Sequence, residues 1–453
     1  MRVRLRFTVI LLLGRFYMQK IPRRTFLMTA GVAPLAMALK SRAGANDRIR
    51  AAVIGMGDRG RDHVELLSRM DGVEIATFCD PDEHRMQEKA AEFEKQSGKK
   101  PKLEPDVRRV LDDREIDVIT IAAPNHWHAL ATIWACQAGK HVYVEKPIAH
   151  DMVEGQMMVE AARKHGRLVQ GGTQRRSNGR IRKAIQALHD GAIGDVYMAR
   201  CIHFQVRDSL GFKEPETPPA YLHWDLWLGP GPQQPFHRNL VHYNWHWFWD
   251  FGSGELGNNG IHYMDVARWG LQRGLPDRIH SVGGRYGYKD QGQTPNTQVV
   301  TYEFRDGPQL VTEIRGRFSN EEASMSSGVF FYGSKGYMAV SPDQQGKCTV
   351  FLGEGKQPQP DLGSDEEGSH RDMQVAHFQN FFDAVRAGKQ EILHADVNEI
   401  YLSTALALLG NISYRTGRKL TFDSAAQRFI SDPEADHMLK GMHRSPYSLP
   451  EKV

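Results

Sequence analysis

A short apolar run, Ala51 to Ile54, breaks into Gly55-Met56-Gly57-Asp58-Arg59-Gly60. Three glycines at that spacing, after a strand-like segment and before a helical one, leave few folds open. The helical segment is Arg61 to Met70, with Val64, Leu67 and Met70 on one face. Gly55 makes a tight turn, Gly57 lets backbone approach a pyrophosphate, and Gly60 lets helix and strand pack closely. Unpaired N–H groups at the helix start then face the phosphates. Val73 to Cys79 reads as a second strand, and Asp80 closes it twenty residues after Gly60. An acid there accepts both ribose hydroxyls of NAD and repels the 2′-phosphate of NADP. The other reading, a glycine-rich turn in an unrelated α/β protein, gives Asp80 no role.

At 453 residues the chain predicts two or more domains. The formal net charge of +4 misleads, because residues 1–45 hold nine Lys or Arg and no acid. The remainder carries 49 basic and 54 acidic side chains, which gives no basic surface and argues against nucleic acid as a partner. Pro22-Arg23-Arg24-Thr25-Phe26-Leu27-Met28 is a twin-arginine core, followed by an apolar run to Leu39 and the A-x-A site Ala43-Gly44-Ala45. That run is shorter than the ~20 residues needed to span a bilayer. The segment predicts export by the twin-arginine machinery to the periplasm, with translation starting at Met18 rather than Met1. A disordered arm is the alternative. Cys79, Cys136, Cys201 and Cys348 show no paired spacing and read as small core residues.

Residues 46–172 alternate strand and helix: strands Val118–Ala122, His141–Val144 and Leu168–Gln170, helices Trp127–Ala138 and Met152–Lys164. This predicts a parallel sheet covered on both faces. Its strand ends carry Asp80, Pro124-Asn125-His126, Glu145-Lys146-Pro147 and Gly171-Gly172-Thr173-Gln174, all expected in one crevice. From 173 to about 423 the pattern changes. Helix Arg180–Asp190 is followed by strands Val196–Val206, Gln298–Phe304, Gln309–Ile314, Val329–Tyr332 and Tyr337–Val340, with a hairpin at Gly333-Ser334-Lys335-Gly336. Helices Val375–Arg386 and Val397–Tyr414 come after a polar loop, Gly353–Ser369. The fold class is thus α/β: an N-terminal Rossmann dinucleotide-binding domain plus a C-terminal α+β domain with a largely antiparallel sheet. A Pro-containing tail, 424–453, is expected to lie over the body or over a neighbouring subunit.

A Rossmann pattern ending in Glu145-Lys146-Pro147, with Pro124-Asn125 after a strand and Gly257-Asn258-Asn259-Gly260-Ile261-His262-Tyr263-Met264-Asp265 further on, resembles the Gfo/Idh/MocA oxidoreductases. The likeness runs from about Arg48 to about Arg415. It implies an NAD(H)-dependent enzyme acting on a carbohydrate. Cofactor contacts fall on Gly55, Met56, Gly57, Asp58, Arg59, Gly60, Asp80, Pro124, Asn125, His128, Glu145 and Lys146. It places Lys146 and His262 in the catalytic site. Neutral, Lys146 could take a hydroxyl proton; charged, it would stabilise an alkoxide, and His262 is a proton relay near neutral pH. Four residues before the histidine the family commonly has an aspartate, and here stands Asn258. Asparagine orients but cannot ionise, so Lys146 and His262 carry more of the acid–base work. The bland readings are a strand-end lysine and a core histidine. The resemblance also implies a homo-oligomer.

Five of the eight tryptophans lie in Tyr221–Trp249, interleaved with His223, His237, His242 and His246. Trp245, Trp247 and Trp249 share a face if the segment is extended, which suits a sugar ring; an aromatic subdomain core is the equal alternative. A metal on His242 and His246, or on His126 and His128, needs converging ligands, and no metal is expected. Gln174, Arg175, Trp245, Asn258, His262 and Lys146 form the expected substrate set, with Arg175 and Arg176 otherwise a solvated pair. Three functions remain: a sugar oxidoreductase, a glycosidase working by transient oxidation and elimination, and a non-catalytic sugar-binding protein. Free NAD is not expected to be replenished outside the cytoplasm. Export therefore predicts a tightly bound nucleotide recycled within the site.

Overall fold

The computed structural model describes residues 48–341, 347–353, 358 and 370–453. The expected export segment and nearly all of the expected loop Gly353–Ser369 lie outside the described residues. The chain opens with β1 (Ile49–Ile54), α1 (Asp58–Leu67), β2 (Val73–Cys79), α2 (Glu83–Ser97), β3 (Lys102–Glu104) and α3 (Val107–Leu111). It continues with β4 (Val118–Ile121), α4 (Asn125–Gln137), β5 (His141–Val144), α5 (Met152–Lys164) and β6 (Val169–Gly171). These strands are all parallel, in the order β3-β2-β1-β4-β5-β6. That order puts the topological switch between β1 and β4, where a dinucleotide crosses a Rossmann sheet. Ala51, Ala52, Val53, Val118 and Ile119 are fully buried, as strands covered on both faces must be. Helix α2 is strongly charged and buries only Met86, Ala90 and Phe93, a stripe too narrow to stand out in the sequence.

The second half follows with α6 (Gly179–His189), β7 (Val196–Phe204), the short α7 (Trp224–Leu228), α8 (Ile261–Leu271), β8 (Arg278–Gly284), β9 (Thr297–Glu303) and β10 (Gln309–Arg315). Then come β11 (Ser327–Gly333), β12 (Gly336–Ser341), β13 (Lys347–Leu352), α9 (His370–Ala387), α10 (Val397–Thr416), β14 (Leu420–Asp423), β15 (Arg428–Phe429) and α11 (Pro433–His437). Nine strands form one sheet, β13-β12-β11-β7-β10-β9-β8-β14-β15, antiparallel except for the β7–β10 pair. Tyr332 pairs with Tyr337 across the expected hairpin. β9 and β10 alternate buried and half-exposed residues, so on these strands the inner face packs on helices and the outer face is half-exposed. On β7, β11 and β12 the outer face carries a small buried cluster of Ile202, Phe204, Phe330 and Ala339.

The last helices return to the first sheet. Phe378, Phe381 and Phe382 of α9 share a core with Ala51, Val53 and Tyr143. The tail lies on its own chain: Met152 N–H donates to the Leu439 carbonyl, Gly441 N–H to Asp151, and Tyr447 is 1% exposed. No described helix is long and apolar enough to cross a membrane. All four cysteines are buried and free, as expected.

Candidate active site

At the nucleotide end, the glycine loop has no room for side chains in two of its three glycines. A Cβ on Gly60 would lie 1.8 Å from the Gly55 carbonyl oxygen. Gly55 has φ +91° and would meet the Ala122 carbonyl at 2.7 Å. Gly57 is different: the nearest atom to its missing Cβ is Nη1 of Arg85 at 3.4 Å, on the side of an open cleft. Gly57 caps α1 with no side-chain hydrogen bond, so the first N–H groups of the helix stay available to an anion. Asp80 takes the Met56 N–H at 2.6 Å and the Asp82 N–H at 2.8 Å, while burial pushes its pKa up. Gly55, Gly57, Asp80 and Arg85 line an open cleft that runs on to Ala122, Ala123 and Pro124. The cradle, the uncapped helix start and the acid at the end of β2 together fit an adenine dinucleotide.

At the other end, Lys146 leaves β5 largely buried. Its Nζ donates to the Asn258 carbonyl at 2.6 Å. Burial pulls its pKa down to about 8; Arg59 and Arg175 add to the fall, and Glu145 and Glu255 oppose it. The Asn258 carbonyl belongs to a π-helical turn, Leu256–Gly260, that runs directly into α8 and its His262. Such turns are rare and recur at functional sites. His262 is buried in the first turn of α8, four residues after Asn258. The side-chain Nδ2 of Asn258 and Oε1 of Gln174 are buried with no hydrogen-bond partner among the described residues.

The acid missing at 258 has a neighbour that sequence reasoning passed over. Glu255, 2% exposed, directly precedes the π turn. It accepts from Arg207 at 2.7 Å and from the Asn259 amide at 2.5 Å, and meets His203 Nε2 at 3.2 Å. Burial pushes its carboxyl pKa up, but His203 and Arg207 outweigh burial and hold it well below the usual carboxylate range. His246 Nε2 lies 4.0 Å from the same carboxylate, and burial takes that imidazole down to about 4. The only sequence signal was an acid two residues before the Gly-Asn-Asn-Gly run.

Several expected contacts fall elsewhere. Glu145 is 5% exposed and accepts from Arg59 at 2.8 Å beside His63 at 3.1 Å; it ties the glycine loop to β5 rather than facing the cleft. His128 is 1% exposed, with its ring nitrogens 2.7 Å from the carbonyls of Pro147 and Ala123, so it holds the Lys146 loop from behind. Arg175 and Arg176 are not solvated. Arg176 forms a buried bidentate pair with Asp265 at 2.9–3.0 Å, and Arg175 lies 4.8 Å over the Tyr263 ring. The tryptophans do not share a face, because Asn244–Trp247 is a 3-10 turn and not a strand. Trp245 lines the nucleotide cleft, Trp247 packs beneath Arg285, and Trp249 meets Tyr414 and Arg415. The aromatic-core alternative describes most of the segment. The histidines do not converge either: His242 pairs with Asp82 at 3.1 Å, far in partnership from His246.

A dinucleotide-binding sheet joined to an antiparallel-sheet domain, with a lysine at the crevice between them, defines a class of two-domain oxidoreductases. Residues 49–173 match the Gfo/Idh/MocA oxidoreductase family's NAD-binding Rossmann fold, and residues 207–449 match the family's C-terminal α/β domain. The chain belongs to the Gfo/Idh/MocA oxidoreductase family. Inositol 2-dehydrogenase 1 of Saccharopolyspora erythraea is 34% identical over 174 residues, 38% of this chain and 50% of that protein. A glycosyl hydrolase family 109 protein of Shewanella baltica is 30% identical over 172 residues, 32% of this chain and 38% of that protein. The alignments thus span half or less of these relatives. Among solved structures, levoglucosan dehydrogenase in complex with NADH and levoglucosan superposes with TM-score 0.64 at 18% identity, covering 83% of this chain and 99% of that one. Aldose–aldose oxidoreductase from Caulobacter crescentus gives 0.63 at 18%, covering 83% and 100%. Those two likenesses are of fold.

Proposed function

We propose that this protein is an NAD(H)-dependent oxidoreductase that acts on a sugar or sugar derivative and keeps its nucleotide through turnover. The observation that carries this is Lys146: a largely buried amine, drawn down to about 8, held on the π turn that leads to His262, just past the end of β5 and next to the β4 end that lines the dinucleotide cleft. Bound NAD would accept or return a hydride at the carbinol carbon, with Gly55–Gly60 and Asp80 as its holders. Lys146 in its amine form takes the hydroxyl proton, and in its ammonium form steadies the oxygen's developing charge. His262 passes the proton on. Asn258 Nδ2 and Gln174 Oε1 are a buried donor and a buried acceptor, and leaving such groups unmade costs about 1–3 kcal/mol each; a polyhydroxyl substrate answers both. Glu255 is a positioning residue. It supplies the fixed negative charge that an aspartate at 258 would have carried, and anchors the turn through Asn259.

Relatives named for inositol, levoglucosan and aldoses favour a sugar substrate. The twin-arginine segment favours export to the periplasm, where a nucleotide that returns to its starting redox state within each cycle needs no external supply. The partly exposed ring stack of Tyr332, Tyr337 and Phe351 on the outer face of the nine-stranded sheet favours assembly of copies.

The likeness to glycosyl hydrolase family 109 supports a second reading, in which oxidation of a ring hydroxyl is followed by elimination of the aglycone, addition of water and re-reduction. One experiment tests both. The nucleotide is released from exported protein and identified, and the protein is screened on sugars and aryl glycosides, following nicotinamide absorbance and aglycone. Oxidised plus reduced sugars are expected for the first reading, and aglycone without net NADH for the second. Protein that carries no nucleotide and works only with bulk NAD turning over would overturn retention.

A further inference from the structure

The nucleotide cleft has an outer wall that the Rossmann domain does not supply. Leu226, Trp227, His242 and Trp245 line the same space as Gly57 and Asp80. All four come from the aromatic stretch between β7 and α8. That stretch carries a small core of its own, with Trp227, Phe236, Phe248 and Phe251 buried together, so it is a packed unit. It is fastened to the Rossmann domain beside Asp80. Glu83 N–H donates to the Tyr221 carbonyl and His223 N–H to the Pro81 carbonyl, both at 2.9 Å. Two imidazole–carboxylate contacts flank them: His223 with Glu83 at 2.6 Å and His242 with Asp82 at 3.1 Å.

We infer that this stretch is part of the dinucleotide site, that Trp245 and His242 close it over the adenosine half, and that the His223–Glu83 and His242–Asp82 contacts set how slowly nucleotide leaves. The inference rests on the reading above that the ligand is NAD(H). The side of the nucleotide follows from chemistry: Asp80 is the ribose acid and the start of α1 takes the pyrophosphate, so a wall sharing space with both covers the adenosine end. Asp82 is fixed by its second duty, accepting the Arg85 N–H at 2.9 Å as the cap of α2, so the latch is anchored where the nucleotide acid is anchored. With the wall latched, exchange of nucleotide requires at least two side-chain contacts and two backbone hydrogen bonds to open together.

The test uses the full-length protein and NADH as the probe. NADH is bound, then chased with excess NAD, and loss of tryptophan-to-nicotinamide energy transfer gives the dissociation rate. His223→Gln with His242→Gln is expected to speed release by about tenfold or more, with thermal unfolding of the nucleotide-free protein unchanged. Trp245→Leu, which leaves both latches in place, is expected to speed release and lower the energy transfer, and keeps the test decisive if the double variant does not fold. NADH release at the wild-type rate from the folded variants, with undiminished energy transfer in Trp245→Leu, overturns the wall. No NADH binding by the wild type once stripped of nucleotide would instead overturn the cofactor reading itself.

Discussion

The two ends of the crevice are built by different means. The nucleotide end is mostly backbone. Gly55, Gly57 and Gly60, the open N–H groups of α1 and one acid at a strand end form the cradle, all within thirty residues of chain, and the outer wall of Trp227, His242 and Trp245 is the distant part. The substrate end is mostly side chains from distant segments. Lys146 follows β5, Asn258 and His262 come from the π turn and the start of α8 more than a hundred residues later, and the Glu255 carboxylate that favours the Lys146 ammonium is itself held by Arg207 and His203. A backbone cradle tolerates changes that keep its shape and fails on an added methyl. A side-chain cluster keeps its shape and fails when one proton or charge is removed.

Substitutions at four positions sharpen that contrast, taken from the largest effect to the smallest. Lys146→Ala should cost at least ~100-fold in turnover, as loss of a general acid–base group does, while bound nucleotide survives desalting. Near-normal turnover would remove Lys146 from the chemistry. Gly60→Ala should do the reverse. Its Cβ would meet the Gly55 carbonyl at 1.8 Å, and overpacking of this kind costs about 1–3 kcal/mol. NADH titration should weaken accordingly, and unchanged affinity would show that the loop relaxes freely.

Glu255→Gln should act through pH. With Lys146 near 8, sugar oxidation that needs the amine should rise with pH through that value. The Glu255 carboxylate favours the ammonium form, so removing it lets the amine form appear at lower pH, and the midpoint of the pH–rate profile should move down. Glu255→Asp should restore it in part. A midpoint that stays put would make Glu255 purely structural. Asp80→Ser should relax the preference for NAD(H) over NADP(H) by about tenfold, on the order of 1.4 kcal/mol, as judged by the ratio of dissociation constants. Equal binding of the two nucleotides by the wild type would refute the role of Asp80.

The nucleotide end was legible in the sequence because its parts are local. Glycines placed by steric demand, an apolar strand before them and an acid after the next strand are short-range features, and the sheet order follows from alternating strand and helix. Lys146 and His262 were legible only through resemblance, since neither has a local pattern of its own. The alternation of Trp245, Trp247 and Trp249 misled, because a 3-10 turn points side chains every third residue and not every second. Arg176, read as either a substrate contact or half of a solvated pair, is core, since its partner Asp265 lies 89 residues away.

What the sequence determined by itself is therefore what backbone geometry and periodic burial can encode: two kinds of sheet, the glycine cradle with the ends of β1, β2 and β4 on one cleft, and buried cysteines. What only the tertiary structure decided is which charges share a low-dielectric space. Glu145 became the anchor of the glycine loop and Glu255 the carboxylate beside the π turn, although the two acids look alike in sequence. The reason is physical. Burial raises the cost of every unpaired charge, so a titratable group's role is set by the partners that folding brings within a few ångströms, and those partners are scattered along the chain.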